Sequence, residues 1–367
     1  MLRKIYVDNF KCLSNFEWNL GNLSVLFGEN GSGKTSVMDA IRAIRDLICG
    51  KSVSEIFSQR TLTRWQKNNI QTFSIELEKD NELFTYTLII EYSEDHSKVR
   101  IQSETLSVGG QPIFEMKTEN NCCDIQLYRD NFSRGPCYSH NWDQSGMFTI
   151  PERNDNKKLS WFKNQIASIF CLKINPFAID AECSEESDSL NDDASNFVAW
   201  YRFASQAKQG ELIPLFECLS KVLYDFRNLQ LDKTGLFSKI LRVANEGKLV
   251  FDFSELSDGQ KVLLVLYSLL FLRNEEASII FLDEPDNFVA LREIQPFLMK
   301  VNDLVEDQEV QVILISHSAE VIDMFGPSYG YLTYRTGNAA TRIRKLEKEE
   351  SDSTLLLSEQ VARGWTE

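Results

Sequence analysis

Three short segments hold the residues whose types and spacing could do chemistry. The first, Gly28-Glu29-Asn30-Gly31-Ser32-Gly33-Lys34-Thr35, fits G-x-x-x-x-G-K-[S/T]. Its glycines let the backbone curl so that N–H groups point inward at phosphate oxygens. A helix beginning at Lys34 would add the positive end of its dipole. Lys34 would reach the β- and γ-phosphates of a nucleotide, and the Thr35 hydroxyl would coordinate Mg²⁺. The candidate nucleotide-binding residues are therefore Gly28, Asn30, Gly31, Ser32, Gly33, Lys34, Thr35 and Ser36. The second segment, Ser278-Ile-Ile-Phe-Leu-Asp283-Glu284-Pro285, is an apolar run ending in two carboxylates. Asp283 at a strand tip can hold the Mg²⁺ shell, and Glu284 can orient an attacking water or take its proton. The third, Val312-Ile-Leu-Ile-Ser316-His317-Ser318, ends in a lone histidine. A neighbouring sheet strand would place His317 beside Glu284.

These residues need elements to position them. Leu23, Val25, Leu26 and Phe27 form a β-rich run before the glycine loop, and Val37, Met38, Ala40, Ile41, Ile44, Leu47 and Ile48 follow at helical spacing. That is strand, loop, helix, the setting the motif requires. Residues 277–282 and 310–315 are short, apolar and β-branched, as parallel strands covered on both faces should be. Leu256-Ser257-Asp258-Gly259-Gln260 reads as a helix start. Ser257 is a good N-cap and Gln260 stands three residues on, a capping box opening a helix over 261–272. Such a start offers free N–H groups to an anion.

Elsewhere the pattern is coarser. Alternation by twos over 72–78, 84–92 and 99–108, with turn signals at Asp80-Asn81 and Gly109-Gly110, predicts an antiparallel meander over about 72–115. Residues 116–157 are rich in Asn, Asp, Ser, Gly and Cys and read as irregular. The stretch 180–193 holds seven acids and no base, and reads as a solvated loop. A long helical pattern runs over 196–231, and a short helix is expected at 358–365.

Composition narrows the classes. The 367 residues are 43% hydrophobic and 25% charged, which excludes collagen-like and wholly disordered chains. The longest apolar run, 262–272, is too short to span a membrane, and charges at Arg3, Lys4, Asp8 and Lys11 interrupt any secretion signal. The net charge of −15 argues against a simple DNA-wrapping protein. Eight cysteines without a C-x-x-C pair and three histidines give no zinc spacing, so the thiols are expected to be reduced and the protein cytoplasmic.

In order along the chain, the phosphate loop, Ser257-Asp258-Gly259-Gln260, the Asp283-Glu284 strand and the His317 strand resemble the ABC-type ATPases. Within these they resemble the SMC, RecF and OLD-like branch. The opening Ile5-Tyr-Val-Asp-Asn-Phe-Lys11-Cys-Leu, Leu282-Asp-Glu-Pro-Asp-Asn-Phe288, Leu291-Arg-Glu-Ile-Gln-Pro296 and the closing Ala362-Arg-Gly-Trp365 look like the stand-alone bacterial AAA family ATPases of that branch. The resemblance is specific over 1–48 and 250–330, and over 50–195 it lies in layout only.

The resemblance implies an α/β fold: an ABC-type P-loop NTPase core with a mixed sheet and an inserted α+β lobe. Residues 1–50 and 250–345 would be the two halves of the core. Residues 51–249 would be an insertion with the meander and a helical lobe at about 196–231, and 346–367 a tail with a short helix. It implies ATP and Mg²⁺ as cofactors, with Mg²⁺ on Thr35 and Asp283. Two copies would face head to tail, with Ser257, Gly259 and Gln260 of one meeting ATP on the other. Glu284 would polarise water, His317 would contact the γ-phosphate, and Lys11 would flank the adenine. A homodimer or higher homo-oligomer and a separately encoded effector, a nuclease or toxin in anti-phage defence, are the implied partners, with no membrane.

Some features depart from the family. Ala290 stands where transporter relatives have aspartate and OLD-like ones histidine, which puts communication between two ATP sites in doubt. Gln71, Gln102 and Gln165 compete for the Q-loop position. Sustained heptads are missing, and the segment after His317 is too short for a Toprim nuclease. The alternative reading is a RecF-like DNA-binding repair ATPase, with basic spots at Arg60, Arg64 and Lys67 and at Arg342, Arg344, Lys345 and Lys348. A transporter motor is a third reading, opposed by the long insertion.

Overall fold

A computed structural model describes residues 1–119, 122–274, 278–337, 339–346 and 356–362, with side chains through residue 359. Lys348, Ala277, residues 363–367 and most of the expected tail lie outside the described residues. The chain divides into two compact units, Met1–Ile169 with Val321–Glu367, and Phe170–Glu320.

The first unit holds an eight-stranded antiparallel sheet. Its strand order is Phe16–Asn19, Leu2–Asp8, Ile70–Lys79, Glu82–Tyr92, Val99–Val108, Gln111–Glu119, Cys122–Tyr128 and Arg134–Ser139. Strict alternation builds it: Phe73, Ile75 and Leu77 face the core on one strand, and Phe84, Tyr86, Leu88 and Ile90 on the next, with Phe73 opposite Leu88. Two residues make the first hairpin turn, Asp80 and Asn81, both at positive φ, the backbone a tight hairpin demands. The helix Lys157–Ala167 covers the same face, with the Phe162 ring 5.5 Å from that of Tyr86.

The expectation that 116–157 is irregular is corrected here. Two strands, Cys122–Tyr128 and Arg134–Ser139, prolong the meander. Cys123, Ile125 and Leu127 do alternate inward, but polar neighbours hide the period. The last strand lies at the sheet edge and is exposed along nearly all its length, so nothing in it selects apolar residues.

A mixed sheet also belongs to this unit. Leu23–Phe27, wholly buried, runs parallel to Gly330–Tyr334, which pairs antiparallel with Arg342–Lys345. From Leu23–Phe27 the chain enters the glycine loop and then the helix Lys34–Ile48, which buries Val37, Met38, Ile41, Ile44 and Leu47.

The second unit places Ile279–Asp283 between Phe170–Leu172 and Gln311–Ile315, all parallel. The helix Asp258–Leu272 is buried on almost every side, which explains its unbroken apolar run. A smaller antiparallel sheet is formed by Glu182–Cys183, Lys239–Asn245, Phe226–Lys233 and Val250–Asp252.

The helical pattern expected over 196–231 is also corrected. It resolves into helices Phe197–Ala207 and Leu212–Val222, joined by a 3₁₀ turn, and then the strand Phe226–Lys233. A bulge between Phe226 and Asn228 shifts the register, so buried Phe226 and Leu229 stand three apart, a spacing that mimics a helix. No described helix is long and apolar enough to cross a membrane.

Candidate functional site

In the first unit the loop Gly28 to Gly33 links the buried strand to its helix. Gly28 (φ 145°) and Gly33 (φ 106°) adopt backbone that side chains avoid. Space forbids a side chain too: a Cβ on Gly28 would lie 2.2 Å from the Thr333 carbonyl oxygen, and one on Gly33 2.8 Å from Cys12 Sγ. Lys34 is buried, and its Nζ donates to the carbonyls of Gly28 at 2.6 Å and Glu29 at 3.0 Å. The ammonium thus spans the loop from inside. Thr35 is exposed on the first helical turn, where no acidic residue opposes the positive end of the dipole.

Residues far along the chain hold the loop in place. Thr341 Oγ1 donates to the Ser32 carbonyl at 2.8 Å, the hydroxyls of Ser32 and Thr333 share a bond of 2.9 Å, and Arg335 donates to the Gly31 carbonyl at 3.2 Å. A cavity of about 210 Å³ lies here, lined by Gly28, Glu29, Asn30, Gly31 and Ser32 with Thr333 and Arg335. Ser36 accepts a bond from Cys12 Sγ at 3.3 Å. Lys11 has φ 52° and pairs with Asp39 of the following helix at 2.6 Å. Of the Q-loop candidates, Gln71 is buried and committed: its amide donates to the carbonyls of Asn9 and Thr61, and it accepts from Tyr92.

The second unit gathers the acid pair and the histidine. Asp283 closes a fully buried strand, its side chain 1% exposed. Glu284 turns out of the strand at φ 53°, a conformation costing on the order of 1 kcal/mol outside glycine. Its own N–H holds that turn, donating to the Ile315 carbonyl at 2.7 Å. The carboxylate then meets three groups. His317 Nδ1 lies 3.3 Å from Oε1, Asn287 donates to Oε2 at 2.9 Å, and Lys173 Nζ lies 3.5 Å from Oε2. Lys173 also lies 3.2 Å from Asp283 Oδ2. Burial lowers the Lys173 pKa, but the two carboxylates outweigh it and raise the ammonium above its ordinary value. Ser316 donates to Asp286 at 3.1 Å, and burial pushes the Asp286 carboxyl up.

The helix start at Ser257 is built as its sequence suggests. Ser257 Oγ accepts from the Gln260 N–H, and Gln260 Oε1 accepts from the Ser257 N–H. Both side chains accept in the cap, so the Ser257 hydroxyl and the Gln260 amide can still donate to an anion at the helix start. Gly259 packs so close that a Cβ there would lie 2.5 Å from the Phe288 carbonyl oxygen.

Sequence reasoning missed Lys173, Asn287, Thr333, Arg335 and Thr341. Asn287 had a signal in its spacing of three from Glu284 within a turn. Lys173 had none, because strand pairing alone brings it in: Leu172 lies opposite Leu282, so the next residues, Lys173 and Asp283, emerge side by side.

The Asp283 carboxylate is a hard oxygen donor, the chemistry Mg²⁺ prefers. An ammonium sits 3.2 Å from it, so this carboxylate fits a cation. Among the described residues no group of three or more His, Cys, Asp and Glu side chains could hold a metal unaided.

A phosphate loop between strand and helix, an acid pair at a parallel strand end and a capped L-S-x-G-Q helix define an ABC-type ATPase of the SMC, RecF and OLD-like branch. The chain belongs to the family described as "AAA domain, putative AbiEii toxin, Type IV TA system", whose model matches residues 23–323. It is similar to the OLD nuclease of Thermus scotoductus, 42% identical over 50 residues, which are 14% of this chain and 9% of that nuclease. Among solved structures it is similar to the SMC head domain from Thermotoga maritima (14% identity, 95% of this chain and 99% of that one, TM-score 0.50). A second is an SMC head bound to the C-terminal winged-helix domain of ScpA (14% identity, 95% and 98%, TM-score 0.57). A third is the Pyrococcus furiosus SMC head with an extended coiled coil bound to the C-terminal domain of ScpA (11% identity, 94% and 96%, TM-score 0.53). At such identities these likenesses establish the fold.

Proposed function

We propose that the protein binds and hydrolyses ATP as a nucleotide-dependent switch or scaffold for a separately encoded effector in bacterial anti-phage defence. The observation that carries the reading is Glu284, placed beside Asp283 and 3.3 Å from His317. A carboxylate so held is a general base for water. Gly28, Asn30, Gly31, Ser32, Gly33, Lys34 and Ser36 form the phosphate cradle, and Lys11 flanks the adenine. Thr35 and Asp283 would hold Mg²⁺, which supplies charge neutralisation on the β- and γ-phosphates when bound. Glu284 takes a proton from the water whose oxygen bonds to the γ-phosphorus, the bond to ADP breaks, and phosphate leaves. His317 contacts the γ-phosphate. Ser257, Gly259 and Gln260 present their helix N-terminus to the nucleotide of a second copy.

The effector setting draws support from the family's description, which names a toxin and a toxin–antitoxin system, and from the match to part of a nuclease. The SMC heads bound to ScpA domains support a fold that docks partner proteins. The test is the solution mass of Glu284→Gln with and without Mg-ATP, by light scattering. A shift from monomer to dimer on ATP supports the head-to-tail switch. A monomer that never binds ATP removes the proposal.

Exposed Arg342, Arg344 and Lys345 on one strand favour a second reading, a RecF-like grip on DNA. ATP-dependent DNA affinity that falls steeply with salt would support it. No binding at low salt would dispose of it.

A further inference from the structure

Asp283 and Lys173 are unequal partners. The Asp283 side chain is 1% exposed and Lys173 51%. A carboxylate so buried needs a compensating cation, whereas a half-exposed ammonium gives up little on leaving. The backbone around the lysine is pinned. Lys173 N–H donates to the Asp192 carbonyl at 2.7 Å, Asn175 to Asp193 at 3.0 Å, and Asp180 to Ser195 at 3.0 Å. The four-carbon side chain of Lys173 can swing while this backbone stays in place. Its Nζ lies within 3.5 Å of both carboxylates that the proposed chemistry needs, one for Mg²⁺ and one for water. Two cations cannot share that position without repulsion.

We infer that Lys173 is a built-in counter-ion of the acid pair: its ammonium holds Asp283 and Glu284 in place and is displaced when Mg²⁺ arrives with the triphosphate. The inference rests on the ATPase reading given above. In it Lys173 is a positioning residue that sets how much Mg²⁺ the site requires. It keeps the acid pair from drifting apart or binding stray cations, and it makes occupancy depend on metal and nucleotide together.

The test is binding of a fluorescent ATP analogue to the full chain at graded Mg²⁺ concentrations, with EDTA as the zero point, without reference to turnover. Lys173→Met should lower the half-saturating Mg²⁺ about three- to fivefold, the upper scale of a partly exposed ion pair. Lys173→Arg should keep the wild-type requirement within about twofold, because it keeps the charge. Affinity in EDTA should be equal in all three. Melting temperatures add a second readout. Lys173→Met should melt lower without ligand and gain more from Mg-ATP than the wild type, whereas a merely structural ion pair would lower both states equally. An unchanged or higher Mg²⁺ requirement in Lys173→Met overturns the inference, the latter making Lys173 a phosphate ligand. If at saturating Mg²⁺ the wild type binds no more analogue than Lys34→Ala, the ATPase reading itself falls, and the counter-ion with it.

Discussion

Glu284 and His317 come from different strands, yet Nδ1 of the histidine lies 3.3 Å from Oε1 of the carboxylate. The cause is local. Asp283 pairs with Ile315 in parallel register, and the Glu284 N–H then crosses to the Ile315 carbonyl, so the two chains leave the sheet together. If the pair acts as a unit on water, the two losses should not add, and removing both should cost no more than removing Glu284 alone. Glu284→Gln should lower ATP turnover about 100- to 10,000-fold while keeping ATP bound. His317→Ala should lower it less, and the double variant should match Glu284→Gln. Steady-state ATPase assays with parallel nucleotide binding measure all three.

Lys34 donates to two carbonyls of its own loop, so it contributes to the loop's shape as well as its charge. Lys34→Ala should weaken ATP binding about 10- to 100-fold, the scale of one lost charged contact. It should also cut, by up to about 1.4–2.7 kcal/mol, the stabilisation that saturating ATP gives the wild type. Isothermal titration and thermal unfolding check the two halves separately.

Gly259 has no room for a methyl group against the Phe288 carbonyl. Gly259→Ala should therefore strain this contact by about 1–3 kcal/mol and shift the helix start. ATP binding to the single chain should persist, because the phosphate loop is untouched. ATP-driven dimerisation of a Glu284→Gln, Gly259→Ala double variant should be lost in light scattering. Retained dimerisation would mean that the helix start does not face the second nucleotide.

Glu104 is buried in the first unit, and burial raises its pKa to about 7 despite bonds from Tyr86, Ser145 and the Gly146 N–H. A folded-state pKa above the unfolded value means that the folded state binds the extra proton. The stability this proton contributes is whole below the ordinary carboxylate range and is lost as pH rises to about 7. The loss is on the order of 3 kcal/mol. Thermal melts should therefore show stability falling between about pH 5 and 7 and levelling above. Glu104→Gln, which mimics the protonated acid, should flatten that slope.

What the sequence displays and what it conceals follow from the range of the interactions. The glycine loop, the Asp283-Glu284 strand end and the Ser257-Gln260 cap are local, each set within a few residues, and each is legible. The placement of His317 beside Glu284 was legible because two short β-branched runs imply adjacent parallel strands. Lys173 reaches the acids only through strand pairing, and Thr333, Arg335 and Thr341 reach the loop across most of the chain. No local period signals such contacts. The strand from Phe226 was hidden by a bulge that imitates helical spacing, and the strand Arg134–Ser139 by its exposure at an edge.

The hydroxyls of Thr333 and Thr341 bond to Ser32 across 301 and 309 positions of chain. On a ribosome those partners are made long after the loop they hold. At ~5–20 residues per second the delay is about 15–60 s. For that interval the nascent loop has its glycines and its lysine but not the groups that fix their geometry. The glycine loop is thus one of the last parts of the molecule to mature, and a chain halted before residue 333 lacks the braces that shape it.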